Sequence, residues 1–299
     1  MVSGIVEANL GPVSEVSAWG AGANSRTYRA TLEGGTRVLA KRYFKREGEA
    51  RDRLDVEYSV LAFLNANGVD ALPRALARDD ANRFALYEFL EGGLIAPGDV
   101  LPEHAAAAGG FSGALARASR VPGARALPPA SEACLSIAAH IGCVERRLTR
   151  LLSVIGSDPI DQQARAFLET ELRPTYEEAS RRAQAGATAA GLEVAVELPI
   201  EAQTLSPSDY GFHNAISTPG GVKFIDLEYA GWDDPAKMVA DFFQQPRPLA
   251  RALRPAFLNA YLEDVPDALR LGGLGPSAPG VEVVLDHAQR VPSAGGSAP

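Results

Sequence analysis

Two adjoining segments near the C-terminal end constrain this chain more than any other part of it. The first reads Leu205-Ser206-Pro207-Ser208-Asp209-Tyr210-Gly211-Phe212-His213-Asn214-Ala215-Ile216, and the second Gly221-Val222-Lys223-Phe224-Ile225-Asp226-Leu227-Glu228-Tyr229. Between them, Thr218-Pro219-Gly220-Gly221 carries the proline and glycines of a tight turn, so the flanking apolar runs read as the two strands of a hairpin. With the turn there, Ser217 faces Val222, Ile216 faces Lys223, Ala215 faces Phe224 and Asn214 faces Ile225. Asn214 and Asp226 then meet at the open end of the hairpin, with Asp209 on the loop just before it.

Two oxygen-bearing side chains brought together in this way suit Mg²⁺, a hard ion that takes one or two protein oxygens and completes its shell with phosphate and water. Asp209 is then free to orient a substrate hydroxyl. Taken singly, each of these residues would suit an ordinary surface turn. Together, a base, an amide and a strand-end carboxylate match the phosphoryl-transfer arrangement of protein kinases.

Composition narrows the partners. The 299 residues are 46% hydrophobic and 22% charged, as in soluble globular proteins, and the net charge of −8 argues against a nucleic-acid or anionic-membrane surface. Cys134 and Cys143 sit nine residues apart in what reads as one helix, on opposite faces, so no disulfide is expected between them. Met1 to Trp19 has neither a basic start nor an apolar run, which predicts a cytoplasmic protein.

Along the chain, Val13 to Lys41 reads as a small sheet. Trp19-Gly20-Ala21-Gly22-Ala23-Asn24-Ser25 is a glycine-containing turn between β-prone flanks, with Gly20, Gly22 and Ser25 placed to approach a phosphate. Lys41 ends Val38-Leu39-Ala40-Lys41, and a cation in a mostly apolar strand needs a partner. Arg51 to Asn65 has the periodicity of a helix, whose Glu57 lies at the edge of the apolar stripe; Glu57 is the first candidate partner and Glu49 the second. Leu72–Arg78 and Arg83–Gly92 read as two more strands, and on the kinase reading the backbone at Glu88, Phe89 and Leu90 is where a nucleotide base would be held. A dinucleotide-binding oxidoreductase does not fit, because no parallel βαβ unit follows Gly20.

From Leu101 the pattern turns helical, with helices expected over Glu103–Ser119, Ser131–Leu152 and Asp161–Ala187 around a Pro/Gly/Ala linker at Val121–Pro129. His140 reads as a core or boundary residue. Asp233 or Asp234 should cap a helix over Ala236–Gln244, inside which Asp241 is a candidate brace for the catalytic loop. From Gly272 the chain becomes rich in Gly, Pro, Ser and Ala, a composition that predicts a loosely attached tail.

At Asp209, Asn214 and Asp226, and in order from Trp19 to Phe243, the chain resembles the aminoglycoside phosphotransferase and choline kinase family. The resemblance implies an α+β, protein-kinase-like fold: an antiparallel sheet lobe with one helix over 1–92, a mainly helical lobe with the catalytic hairpin over 93–271, and the tail 272–299. It implies Asp209 as catalytic base, Asn214 and Asp226 as Mg²⁺ ligands, Lys41 on the phosphates of ATP or GTP, and a small polar acceptor such as an amino sugar, a sugar or choline. The chain departs from the family in carrying Pro207 and Gly211 where histidines are usual, with His213 next to Asn214, and in turning to its tail where packed helices are usual, which suggests a shortened or frame-shifted C-terminus. A non-catalytic nucleotide-binding scaffold is the alternative reading.

Overall fold

Residues 13–43 and 75–88 supply the strands of one sheet, with the helix Arg53–Ala66 between them in sequence. The computed structural model, which describes residues 1–154, 156, 158–245 and 249–265, forms there a five-stranded antiparallel sheet. Its strands are β1 (Val13–Ala21), β2 (Ser25–Leu32), β3 (Arg37–Tyr43), β4 (Ala75–Asp79) and β5 (Phe84–Glu88), in the order β1-β2-β3-β5-β4. Ala30, Val38, Ala40, Phe84 and Leu86 pack on one side against Ile5 and Val6 of helix α1 (Val2–Leu10). That helix is not legible in the sequence: Gly4 and two valines disfavour it, and only packing onto the sheet makes it form. On the other side Tyr43, Ala85 and Tyr87 meet Leu54, Val60, Leu61 and Leu64 of α2 (Arg53–Ala66). This helix starts two residues later than expected because Asp52 is its cap, accepting the Asp55 amide at 3.1 Å.

The contacts divide the chain into two compact units, Met1–Ser131 with the chain from Thr204, and Glu132–Gln203. In the first unit, β6 (Gly93–Leu94) leads to α3 (Pro102–Ala118), and the chain returns at β7 (Thr204–Ser206). The hairpin β8 (Ala215–Thr218) and β9 (Gly221–Phe224) has the register read from its turn, with Ala215 opposite Phe224, Ile216 opposite Lys223 and Ser217 opposite Val222. The Ile225 amide donates to the Asn214 carbonyl at 2.9 Å, extending the pairing by one step. A strand β10 (Gly231–Asp233) pairs with β7, so the segment between them, which carries Asp209, is tied at both ends. Asp234 caps α7 (Pro235–Phe243) through the Ala236 amide at 2.8 Å, and α8 (Arg254–Asp264) packs along α3. The core between these helices is aromatic, with Phe111 stacked on Phe224 at 4.7 Å and Phe242 on Phe257 at 4.8 Å.

The second unit holds α4 (Ile137–Val154), α5 (Pro159–Phe167) and α6 (Arg173–Ala189). Helix α4 begins six residues after the expected start, so Cys134 lies before it and Cys143 within it; both are buried free thiols. The expected single long helix is interrupted by a π-helical turn, Leu168–Leu172, just before Pro174, which has no amide hydrogen to continue the regular ladder. Among the described residues no helix is long and apolar enough to cross a membrane. The Gly/Pro-rich stretch 272–299 lies outside the described residues.

Gly109 and Gly110 on α3 allow a test of the packing. A β-carbon at Gly109 would run into the backbone of Phe257 on α8, whereas one at Gly110 meets open space. In a helix, Gly→Ala alone gains about 1 kcal/mol. Gly110→Ala should therefore raise the unfolding free energy measured in urea, and Gly109→Ala should lower it.

Candidate active site

The site grows from Lys41. Its place on β3 turns its side chain toward α2, and it is almost wholly buried, so its ammonium must be paired. Glu57 Oε2 lies 2.7 Å from Nζ, Asp226 Oδ1 2.6 Å and Glu228 Oε2 3.6 Å. Of the two candidate partners, Glu57 is the one in contact; Glu49 instead takes Arg53 Nη1 at 2.5 Å. Tyr43 also donates to Glu57 Oε2 at 2.7 Å and shares a 2.8 Å hydrogen bond with Tyr87. Burial by itself would favour the neutral amine of Lys41, but the charges of Glu57, Asp226 and Glu228 outweigh it and hold the ammonium above its usual range. Burial pushes the Glu57 carboxyl up to about 7, the Lys41 charge opposes the rise and the Asp226 charge adds to it.

Asp226 follows β9 with a left-handed backbone, φ 65°, which few non-glycine residues adopt. Its side chain is 41% exposed, against 4% for Glu57 and 4% for Glu228. Glu57, Asp226 and Glu228 bring three carboxylate oxygens within 4.8 Å of one another, a donor set of hard oxygens. Sequence reading did not single out Glu228, although a second acid two residues after Asp226 was the available signal. Glu228 also accepts from Asn24 Nδ2 at 2.7 Å and lies 3.4 Å from Arg53 Nε.

Asn24 belongs to the glycine-bearing turn, and it reaches Tyr229 Oη at 2.8 Å as well. The turn is closed by the Gly22 amide donating to the Ser25 carbonyl at 2.9 Å, and Thr27 Oγ1 donates to the Gly20 carbonyl at 3.3 Å. Trp19, just before it, meets the Phe89 ring edge-on at 5.0 Å. The Glu88 amide and carboxylate are both engaged with Arg74, while Phe89 and Leu90 follow the end of β5.

Asp209 lies on the loop between β7 and β8 after Ser208, which is also left-handed at φ 67°. Its Oδ1 is 2.9 Å from His213 Nε2, and its Oδ2 and carbonyl accept from Asn214 Nδ2 at 3.2 and 3.1 Å. The structure thus brings Asn214 to Asp209, and Asp226 to Lys41. Below the loop, the Tyr210 hydroxyl donates to the Ala108 carbonyl at 2.6 Å, and Gln245 Oε1 accepts the Phe212 amide at 2.5 Å. Asp241, the candidate brace, is half-buried and pairs with Lys237 at 2.7 Å; that lysine also reaches Asp233 at 3.0 Å. Gln245 is the brace that sequence reasoning missed.

Residues 15–271 match the profile of the Phosphotransferase enzyme family. The chain belongs to this family. None of the curated proteins matches it. Among solved structures, choline kinase from Cryptosporidium parvum Iowa II superposes with a TM-score of 0.62 at 15% identity, over 95% of this chain and 85% of that one. Spectinomycin phosphotransferase APH(9)-Ia, solved with ADP and spectinomycin, gives 0.60 at 11%, over 96% and 85%. Amicoumacin kinase hAmiN, solved with AMP-PNP, Ca²⁺ and Ami, gives 0.54 at 14%, over 92% and 86%. The phosphotransferase therefore has the expected α+β, protein-kinase-like fold, with an antiparallel sheet at its N-terminal end and a helical portion after it.

Glu57 gives this phosphotransferase a pH dependence of defined sign. Its folded value near 7 lies above the 4.5 of a free carboxyl, so folding takes up a proton between these limits. That contribution to stability is fully present below pH 4.5 and is lost as pH rises through 7, up to about 3 kcal/mol. The slope of unfolding free energy against pH across this window should be shallower in Glu57→Gln, and equal slopes would remove Glu57 from the account.

Proposed function

We propose that this phosphotransferase moves the γ-phosphoryl group of ATP or GTP, with Mg²⁺, onto a hydroxyl of a small polar metabolite such as an amino sugar, a sugar or a choline-like alcohol. The observation that carries the reading is the convergence of Glu57, Asp226 and Glu228 on Lys41, with Asp209 presented by the adjoining loop. Carboxylate and amide oxygens suit Mg²⁺, and Asp226 and Asn214 would hold it, with Glu228 close by. When bound, the metal neutralises charge on the phosphates and the leaving group.

The chain's own residues account for the rest. Lys41, held by Glu57, binds the phosphates, the turn from Gly20 through Gly22 to Ser25 covers them, and the backbone at Glu88, Phe89 and Leu90 holds the base. Asp209 accepts the proton of the acceptor hydroxyl as its oxygen bonds to the γ-phosphorus. The bond from that phosphorus to the β–γ bridging oxygen breaks, and the nucleoside diphosphate leaves with the electron pair.

A thermal melt with Mg²⁺ alone, Mg·ATP and Mg·GTP tests the reading. A nucleotide at a hundred times its dissociation constant should stabilise the fold by about 2.7 kcal/mol, and only with Mg²⁺ present. Asp209→Ala should keep that shift and lose turnover by several orders of magnitude. A parent protein that binds nucleotide but transfers no phosphoryl group to any hydroxyl acceptor would instead be the non-catalytic scaffold, and no shift at all would sink both.

A further inference from the structure

The geometry points to His213 as a positioning residue for Asp209, whose imidazole fills room that residue 211 has to leave. This role rests on the assignment of Asp209 as base. A carboxylate only accepts, so in the 2.9 Å contact His213 Nε2 is the donor and Asp209 Oδ1 the acceptor. His213 Nδ1 is buried and has no hydrogen-bond partner among the described residues, so one ring nitrogen is committed to Asp209 and the other to nothing.

Gly211 explains how the ring reaches that place. Its φ of 173° is extended backbone open to any residue, so what excludes a side chain is space. A β-carbon there would overlap Gln245 Oε1 and stand 2.7 Å from His213 Nδ1. Gln245 cannot give way cheaply, because Oε1 holds the Phe212 amide and Nε2 donates to the Phe242 carbonyl at 2.8 Å. Gly211, His213 and Gln245 are therefore one steric unit beneath the loop.

The Asp209 side chain is 47% exposed, and its terminal torsion is soft. Left to itself the carboxylate would sample many directions. His213 on one oxygen and Asn214 on the other remove that freedom, so an acceptor hydroxyl meets lone pairs of fixed direction. Orientation of this kind is worth about 100-fold in rate.

The test compares His213→Leu, which deletes the donor, with His213→Gln, which restores an N–H without an imidazole. Turnover is followed with Mg·ATP as donor and water as acceptor, and ATP affinity by the melt. His213→Leu should lower kcat about 10- to 100-fold with KM for ATP and the melt shift unchanged, and His213→Gln should regain most of the loss. Full activity in His213→Leu, a joint fall of kcat, ATP affinity and melting temperature, or a glutamine variant as slow as the leucine one would each overturn the role. Nitrogen-15 NMR of the imidazoles gives a reading that needs no turnover. The signals absent from His213→Gln should report the Nε2–H form in the parent and change in Asp209→Ala, whereas an Nδ1–H form or indifference to Asp209→Ala would sink the proposal. A parent that hydrolyses no nucleotide would count against the proposed function alone, and the NMR result would still decide whether His213 holds Asp209.

Discussion

The structure depends on one buried ammonium. Lys41 has left water for the space between a sheet and a helix, a transfer that costs several kcal/mol unless the charge is met. It is met by Glu57 from α2 and Asp226 from the end of the hairpin, elements far apart in the chain. The same contacts that satisfy the charge therefore fix where sheet, helix and hairpin end stand with respect to one another. Removing one acid would take a counter-charge from the buried ammonium while the other two stay beside it.

Around this pair the remaining contacts restrain backbone that would not otherwise adopt its shape. Ser208 and Asp226 both sit in the left-handed region, at a cost of about 1–3 kcal/mol each, and each lies beside or at a predicted site residue. The β7–β10 pairing, the β8–β9 ladder and the Gln245 bonds to Phe212 and Phe242 supply the surrounding order that keeps them there. Arg51 adds to it by donating to the carbonyls of Pro129, Glu228 and Ala230, which pins the segment following Asp226.

The parts of the fold legible in the sequence are those written locally. The hairpin register followed from one proline and two glycines, and the strand and helix periodicities gave Lys41 two candidate partners, Glu57 and Glu49, of which the fold selects Glu57. The α1 helix was not legible, because its formation depends on a sheet face to which strands as distant in sequence as β3 and β5 contribute. The bond from Asn24 to Glu228 joins residues 204 positions apart, and no local pattern announces a contact of that range. Gln245 was missed for a related reason: a glutamine after a helix end is ordinary until Gly211 is known to leave it room. His213 was visible as a displaced histidine, but its bond to Asp209 depends on a 3₁₀ turn, Phe212–Asn214, that places residues four apart side by side.

The chain has two tryptophans, and the fold puts them in opposite surroundings. Trp232 is enclosed, donating its indole N–H to the Ala124 carbonyl at 3.0 Å beneath the Arg125 guanidinium. Trp19 is 56% exposed at the mouth of the glycine-bearing turn, with Phe89 at its edge and Arg29 over its ring. The two indoles should therefore emit at different wavelengths, a steady blue component from the interior and a redder one from the turn. Acrylamide would quench the second and spare the first, so the glycine-bearing turn carries a native fluorophore that reports on its surroundings without an attached label.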